Sequence, residues 1–214
     1  MIGAAAAPEG ARRSPGVSNP IESFDGLPDR MAQLSAVERE IVVYSYYRDA
    51  ELRGANLLFR LLRIVDEPES QVRLTEHLAD EVRHAWLWTE LIQSLGAHPV
   101  SILDGYQVRI GKRAGIPRTL VDLFALTVVV EQRALRRYTE HMRRPGTSAR
   151  TLGVLAAVTQ DEGWHVDWMR RKARELAGRD GDPEQAERAI ERFREIDRAV
   201  MIELEAAERR LAEV

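Results

Sequence analysis

At 214 residues, 44% of them apolar, the chain is long enough to bury one proper core and too short for two comfortable domains. Its 31 basic and 34 acidic side chains leave a net charge of −3, so no global field draws it to nucleic acid or to an anionic membrane surface. The absence of cysteine excludes a disulfide scaffold, thiolate metal sites and a cysteine nucleophile, so any metal must be held by nitrogen and oxygen.

Residues 1–26 are rich in Ala, Pro, Gly and Ser without periodicity and read as a flexible leader. In "MIGAAAAPEGARRSPG" the arginines follow the alanines, the reverse of a secretory signal, and a cytoplasmic protein is expected. Apolar residues then recur at steps of three and four over about 36–65, 69–95, 117–143, 148–177 and 183–212, which predicts five long helices. No segment alternates as a strand would. The longest strongly apolar run, "LFALTVVV" at 123–130, is far short of the ~20 residues of a membrane helix, so no membrane is expected.

"DEPES" (66–70) and "RPGTS" (144–148) are tight connections, whereas 96–117 is long and mixed. Short, long, short is the loop pattern of two helical hairpins joined by a crossover. The fifth helix follows "GRDGDPEQ", with Asp182 as its expected N-cap and Pro183 at its first position. Its Val200, Leu204, Ala207 and Leu211 fall at heptad spacing, suited to packing across the bundle or on a second chain, which would make a homodimer. The expected organisation is a leader (1–26), a helical bundle (27–182) and a C-terminal helix (183–214).

Each of the first four long helices carries one glutamate on its apolar seam. In the first, Glu51 lies in line with Tyr44, Tyr47, Gly54, Leu58 and Leu61. In "ADEVRHAWLW" Glu81 takes the one open slot among Leu74, Leu78, Ala85, Trp88 and Ile92. Glu131 follows Phe124 and Val128 and precedes Leu135 and Tyr138, and Glu162 shares a face with Leu155, Val158 and Met169. An unpaired buried carboxylate is costly, so four such residues call for a common partner.

Two of the four continue into histidine: Glu81-x-x-His84 in "DEVRH" and Glu162-x-x-His165 in "DEGWH". Positions i and i+3 share a helix face, so both side chains can reach one ion. One ExxH carries little information in a chain this rich in glutamate. Two copies are specific when each is preceded by Asp and each lies 30 or 31 residues after another seam glutamate. The two motifs are offset by 81 residues, which makes a pseudo-twofold site.

This pattern resembles the ferritin-like di-iron carboxylate proteins, whose ligand set is one Glu from each of two helices plus Glu-x-x-His from each of the other two. The resemblance covers about residues 36–177. It implies an all-α, ferritin-like four-helix bundle with a long crossover between two helical hairpins and an additional C-terminal helix. It also implies that Glu51, Glu81 and His84 hold one metal and Glu131, Glu162 and His165 the other, two carboxylates bridging, and that these six form the catalytic set. "DEVRH" is similar to the (D/E)ExRH motif of the oxygen-activating branch, which implies that Asp80, Arg83 and Asp161 orient the histidines; Trp164 stands where the second arginine would be.

Oxygen and imidazole donors suit iron or manganese. Two irons, or an Fe/Mn or Mn/Mn pair, with dioxygen as co-substrate imply an oxygenase or oxidase acting on a small organic substrate, supplied with electrons by a separate reductase or ferredoxin. A rubrerythrin-like peroxidase or ferroxidase is the alternative, and a structural bundle with a vestigial site the third reading. His77, one turn before Glu81, reads as a hydrogen-bonded core or boundary histidine, while His98 and His141 read as solvated. Tyr47, Thr127 and Tyr138 read as core residues with a hydrogen bond, and Trp86, Trp88, Trp164 and Trp168 as space-filling. The basic stretch 136–150 reads as a solvated helix end, and nucleic acid is not expected as a partner.

Overall fold

The computed structural model of the protein describes residues 20–213 apart from 22 and 116. Among the described residues are seven helices and no strand: α1 (Leu27–Gln33), α2 (Ala36–Leu62), α3 (Pro68–Ser94), α4 (Tyr106–Ala114), α5 (Leu120–Met142), α6 (Ala149–Arg179) and α7 (Gln185–Ala212). The five long helices fall where the three-and-four spacing puts them. None of the helices is long and apolar enough to cross a membrane.

Local chemistry sets the helix starts. Ser35 and Glu38 form a reciprocal capping box at the head of α2, and Pro68 opens α3. Thr119 and Ser148 accept from the Asp122 and Thr151 amides at the heads of α5 and α6. The expected Asp182 cap is not found. The N-cap of α7 is Glu184, and Asp182 instead closes the preceding turn, its carbonyl accepting from the Gln185 amide at 3.0 Å while its carboxylate pairs with Arg188.

The short connections make α2 and α3 one hairpin and α5 and α6 another, with α3 meeting α6 and α2 meeting α5 between them. The crossover is less irregular than its composition suggests, because 106–114 forms α4, which buries Tyr106 and Ile110. The packed chain also begins earlier than residue 27. Ile21 and Phe24 are each 1% exposed, and the Ile21 backbone pairs with Ser101 and Leu103 at 2.8 and 2.9 Å. Residues 1–19 of the expected leader lie outside the described residues.

Helix α7 lies along α5 and also touches α1, α4 and α6. Its heptad face of Val200, Leu204, Ala207 and Leu211 is buried by this chain's own helices, so no second chain is needed to cover it. Polar locks fix the register. Asp197 on α7 accepts from the Tyr106 hydroxyl at 2.8 Å and from Arg133 Nε and Nη2 at 3.0 and 2.5 Å, tying α4, α5 and α7 together. Arg137, buried beneath Tyr46, pairs with Glu208 at 2.6 Å, so this member of the basic stretch is not solvated.

Replacing Asp197 by Ala leaves a guanidinium and a phenol without their acceptor. Because the pair is largely buried, the expected loss is about 3 kcal/mol of unfolding free energy, read from the urea midpoint.

Candidate metal centre

The four seam glutamates converge. Glu51 comes from α2, Glu81 and His84 from α3, Glu131 from α5, and Glu162 and His165 from α6; none is more than 4% exposed. His77, also on α3 and fully buried, joins them. Its spacing to Glu81 and His84 (i, i+4, i+7) puts all three on one stripe of the helix.

Two groups of donor atoms form, each with its members within 4.8 Å of one another: Glu51, Glu81, His84 and Glu162, and His77, Glu81 and His165. His84 Nδ1 lies 3.6 Å from Glu51 Oε2 and 3.5 Å from Glu162 Oε1. His165 Nδ1 lies 3.1 Å from Glu162 Oε2 and 3.8 Å from Glu81 Oε1. His77 Nε2 lies 3.4 Å from Glu81 Oε1 and 3.6 Å from Glu131 Oε1. Glu162 therefore turns one oxygen to each of His84 and His165, the posture of a carboxylate between two positions. Glu131 meets the cluster through His77 rather than inside either tight group.

The outer polar contacts are crossed between the two motifs. His84 Nε2 is 3.0 Å from Asp161 Oδ2, and His165 Nε2 is 3.2 Å from Asp80 Oδ2, so each aspartate holds the histidine of the other helix. An Nε2–H donated to carboxylate leaves Nδ1 as the free lone pair, aimed at the glutamates. Arg83 spans both aspartates, at 3.1 Å from Asp80 and 2.5 Å from Asp161. One arginine serves both halves, and Trp164 instead stands edge-on against His165, ring centroids 4.4 Å apart.

Several contributors carry no motif. The Tyr138 hydroxyl donates to Glu51 Oε1, a partner that core-packing logic does not name. Gly54, one turn after Glu51, leaves the space that the Glu81 carboxylate occupies, since a Cβ there would overlap Glu81 Oε2. A cavity of about 10 Å³, room for roughly one water-sized molecule, is bounded by Glu51, Gly54, Glu81, Glu131, Tyr138 and Gln107 of α4. A cavity of about 420 Å³ between α5 and α7 is lined by none of these groups.

The remaining histidines and aromatics divide. His98 is exposed as read, but His141 is buried, with Nδ1 3.1 Å from the Tyr47 hydroxyl. Trp88 is fully buried between Tyr47 and Tyr138, Trp168 packs on Phe124, and Trp86 is 54% exposed. Thr127 donates to the Leu123 carbonyl within its own helix.

Charge in this enclosure is expensive. Burial raises Glu81, Glu131 and Glu162 above the usual carboxylate range, Glu81 well above it; neighbouring carboxylates add to the rise, while His77 opposes it at Glu131 and His84 opposes it at Glu162. Burial opposes protonation of His84, yet the Glu162 and Glu51 carboxylates outweigh it and push the imidazole up to about 11. His165 is lowered to about 4 by burial and by His77. Tyr138, raised well above its ordinary value by burial and by Glu51, stays a donor.

The donor set fits divalent cations. His77 Nδ1 and Nε2, Glu81 Oε1, His84 Nδ1 and Glu162 Oε1 are buried without a hydrogen-bond partner, which is rare for one buried polar atom and rarer for five in one cluster. A bound cation supplies the missing partner to each inward-facing atom, and oxygen with imidazole suits iron, manganese or zinc. Searches of family models, curated proteins and solved structures return no significant match to the chain.

Gly54→Ala should change stability by no more than about 1 kcal/mol, its gain in helix propensity offsetting the shifted carboxylate, but should lower metal content measured by inductively coupled plasma spectrometry. Gly153→Ala, where nothing stands within 4 Å of an added Cβ, should leave metal content unchanged. The metal-free chain should also lose stability as pH rises above 6.5. Folded His84 and Glu81 keep protons that the unfolded chain has released, so each added pH unit favours unfolding. His165 and His141, both lowered to about 4, act in the opposite sense only below about 6.5. Urea denaturation of chelator-treated protein at pH 6.5 and 8.5 should show a drop on the order of 1–2 kcal/mol, absent from the metal-loaded protein.

Proposed function

We propose that this chain is a ferritin-like di-iron protein that activates dioxygen to oxidise a small organic substrate. The observation that carries the reading is Glu162, fully buried between His84 and His165, each of which is held from behind by the aspartate of the other motif. Carboxylates placed behind imidazoles in this way fix the ring tautomer and orient the other nitrogen toward an ion.

Glu51, Glu81, His84 and Glu162 would hold one ion, and Glu81, Glu131, Glu162 and His165 the other. A bound iron pair supplies the two electrons that dioxygen takes up in its first reduction. The chain's own residues do the rest. Tyr138 donates to Glu51 and keeps that carboxylate turned toward the cluster. Ala50, Val130 and Ala134 line the small cavity beside the carboxylates, and Gln107 on α4 brings the crossover to its wall. An enclosure of that size holds no more than about one water-sized molecule, so an organic substrate would need Gln107 or another wall residue to give way. No cysteine is present to build an iron–sulfur relay, so returning electrons come from a separate reductase or ferredoxin.

An aerobic Fe(II) titration of metal-free protein, recording iron bound and dioxygen consumed, tests this reading beside Glu162→Ala. Saturation at two irons per chain with a stable oxidised centre, and loss of both in the variant, is expected. Iron oxidation running far beyond two per chain would favour a ferroxidase. Uptake unchanged in Glu162→Ala would sink the di-metal assignment.

A further inference from the structure

Glutamates and histidines in the two half-motifs match one another at an offset of 81 residues, but His77 has no such counterpart. The residue 81 positions after it is Val158, fully buried on α6. Neither ring nitrogen of His77 makes a hydrogen bond, although the side chain is completely enclosed. A neutral imidazole buried without partners forfeits both a donor and an acceptor, which a core does not tolerate without compensation. Its ring stacks on His165, centroids 3.6 Å apart and planes 23° from parallel, so the two histidines present themselves side by side. Nε2 faces Glu81 Oε1 at 3.4 Å and Glu131 Oε1 at 3.6 Å.

We propose that His77 is a seventh metal ligand, binding through Nε2 beside His165, Glu81 and Glu131. The inference rests on the di-metal reading and refines it. One position then offers a single imidazole among three carboxylates, and the other two imidazoles with Glu81, Glu131 and Glu162. A second neutral nitrogen makes that position the better one for ions late in the divalent series, such as cobalt and zinc, and sets it apart electronically from its neighbour. The sequence pseudo-symmetry therefore encloses two inequivalent ions. Val158 in the matching place ensures that the difference is built into the fold and not left to side-chain choice.

The test uses the whole chain, its histidines labelled with nitrogen-15, titrated with Zn(II) alone and followed by long-range proton–nitrogen correlation. Three imidazoles, His77, His84 and His165, should move to metal-bound nitrogen shifts by two zinc equivalents, while His98 and His141 stay put. His77→Val, which copies the residue at 158, should keep the signals of His84 and lose affinity at one of two zinc sites by at least about 10-fold in calorimetry. If two zinc ions bind and only His84 and His165 shift, His77 is not a ligand although the di-metal reading stands. If no histidine shifts and no zinc binds, both ideas fall together. The wild-type spectrum decides the matter even if the variant does not fold.

Discussion

The constraint on which this structure depends is the compensation of charge inside an apolar bundle. Four glutamates and three histidines, each nearly or wholly removed from water, meet where α2, α3, α5 and α6 come together. Moving a carboxylate into such a place without a partner costs several kcal/mol, and like charges around it add to the cost. The contributions are divided between the hairpins, with Glu51, His77, Glu81 and His84 from the first and Glu131, Glu162 and His165 from the second. Compensation therefore happens only when both hairpins are docked. The crossed Asp80–His165 and Asp161–His84 contacts make the same demand one step further out, because each links α3 to α6.

The outer helices answer a different need. Residues 123–130 of α5 are buried on every side, a pattern that a four-helix arrangement with one solvent face per helix does not produce. Helix α7 supplies the cover, lying along α5 and packing on α4 as well. Asp197 and Glu208 then give Arg133 and Arg137 of α5 their acceptors, so that α5 has polar anchors on the side away from the carboxylates. Holding α5 from behind fixes where Glu131 and Tyr138 stand in front.

Periodicity made the five long helices and their seam glutamates legible in the sequence, because burial on one face imposes a spacing that survives without coordinates. The same logic located His84 and His165, and their Asp neighbours through the doubled motif. It put His77 one turn from Glu81, within reach of the site, but a lone histidine on an apolar face is ordinarily a core residue with a hydrogen bond, and the absence of that bond is visible only in three dimensions. Gly54 was visible as a seam residue but not as the space for a carboxylate from another helix, which is a relation between chains of atoms distant in sequence. Helices α1 and α4 went unread because seven and nine residues hold too few turns for a periodic signal. The choice between an own-chain and a partner-chain surface for α7 was likewise closed to spacing alone, although the fully apolar stretch of α5 already required a cover.

The departures from pseudo-symmetry are linked to one another. Arg83 corresponds to Trp164, and His77 to Val158, at the same offset of 81. Asp80 and Asp161 lie close enough for one guanidinium to bridge them, so a second arginine at 164 would add a like charge beside Arg83. Tryptophan there does something an arginine could not. Its ring packs edge-on to His165 and lies 5.8 Å from His77, walling the stacked imidazoles with an apolar surface. Burial, together with the neighbouring His77, lowers His165 to about 4, which leaves that ring neutral and available as a lone-pair donor. Both departures fall on α6, where Trp164 and Val158 stand in place of arginine and histidine, yet His77 of α3 reaches across to stack on His165 of α6, so the imidazole pair lies beside the tryptophan. On the di-metal reading, Trp164 and Val158 on α6 and His77 on α3 together make the two ions inequivalent, although the sequence motif itself is repeated.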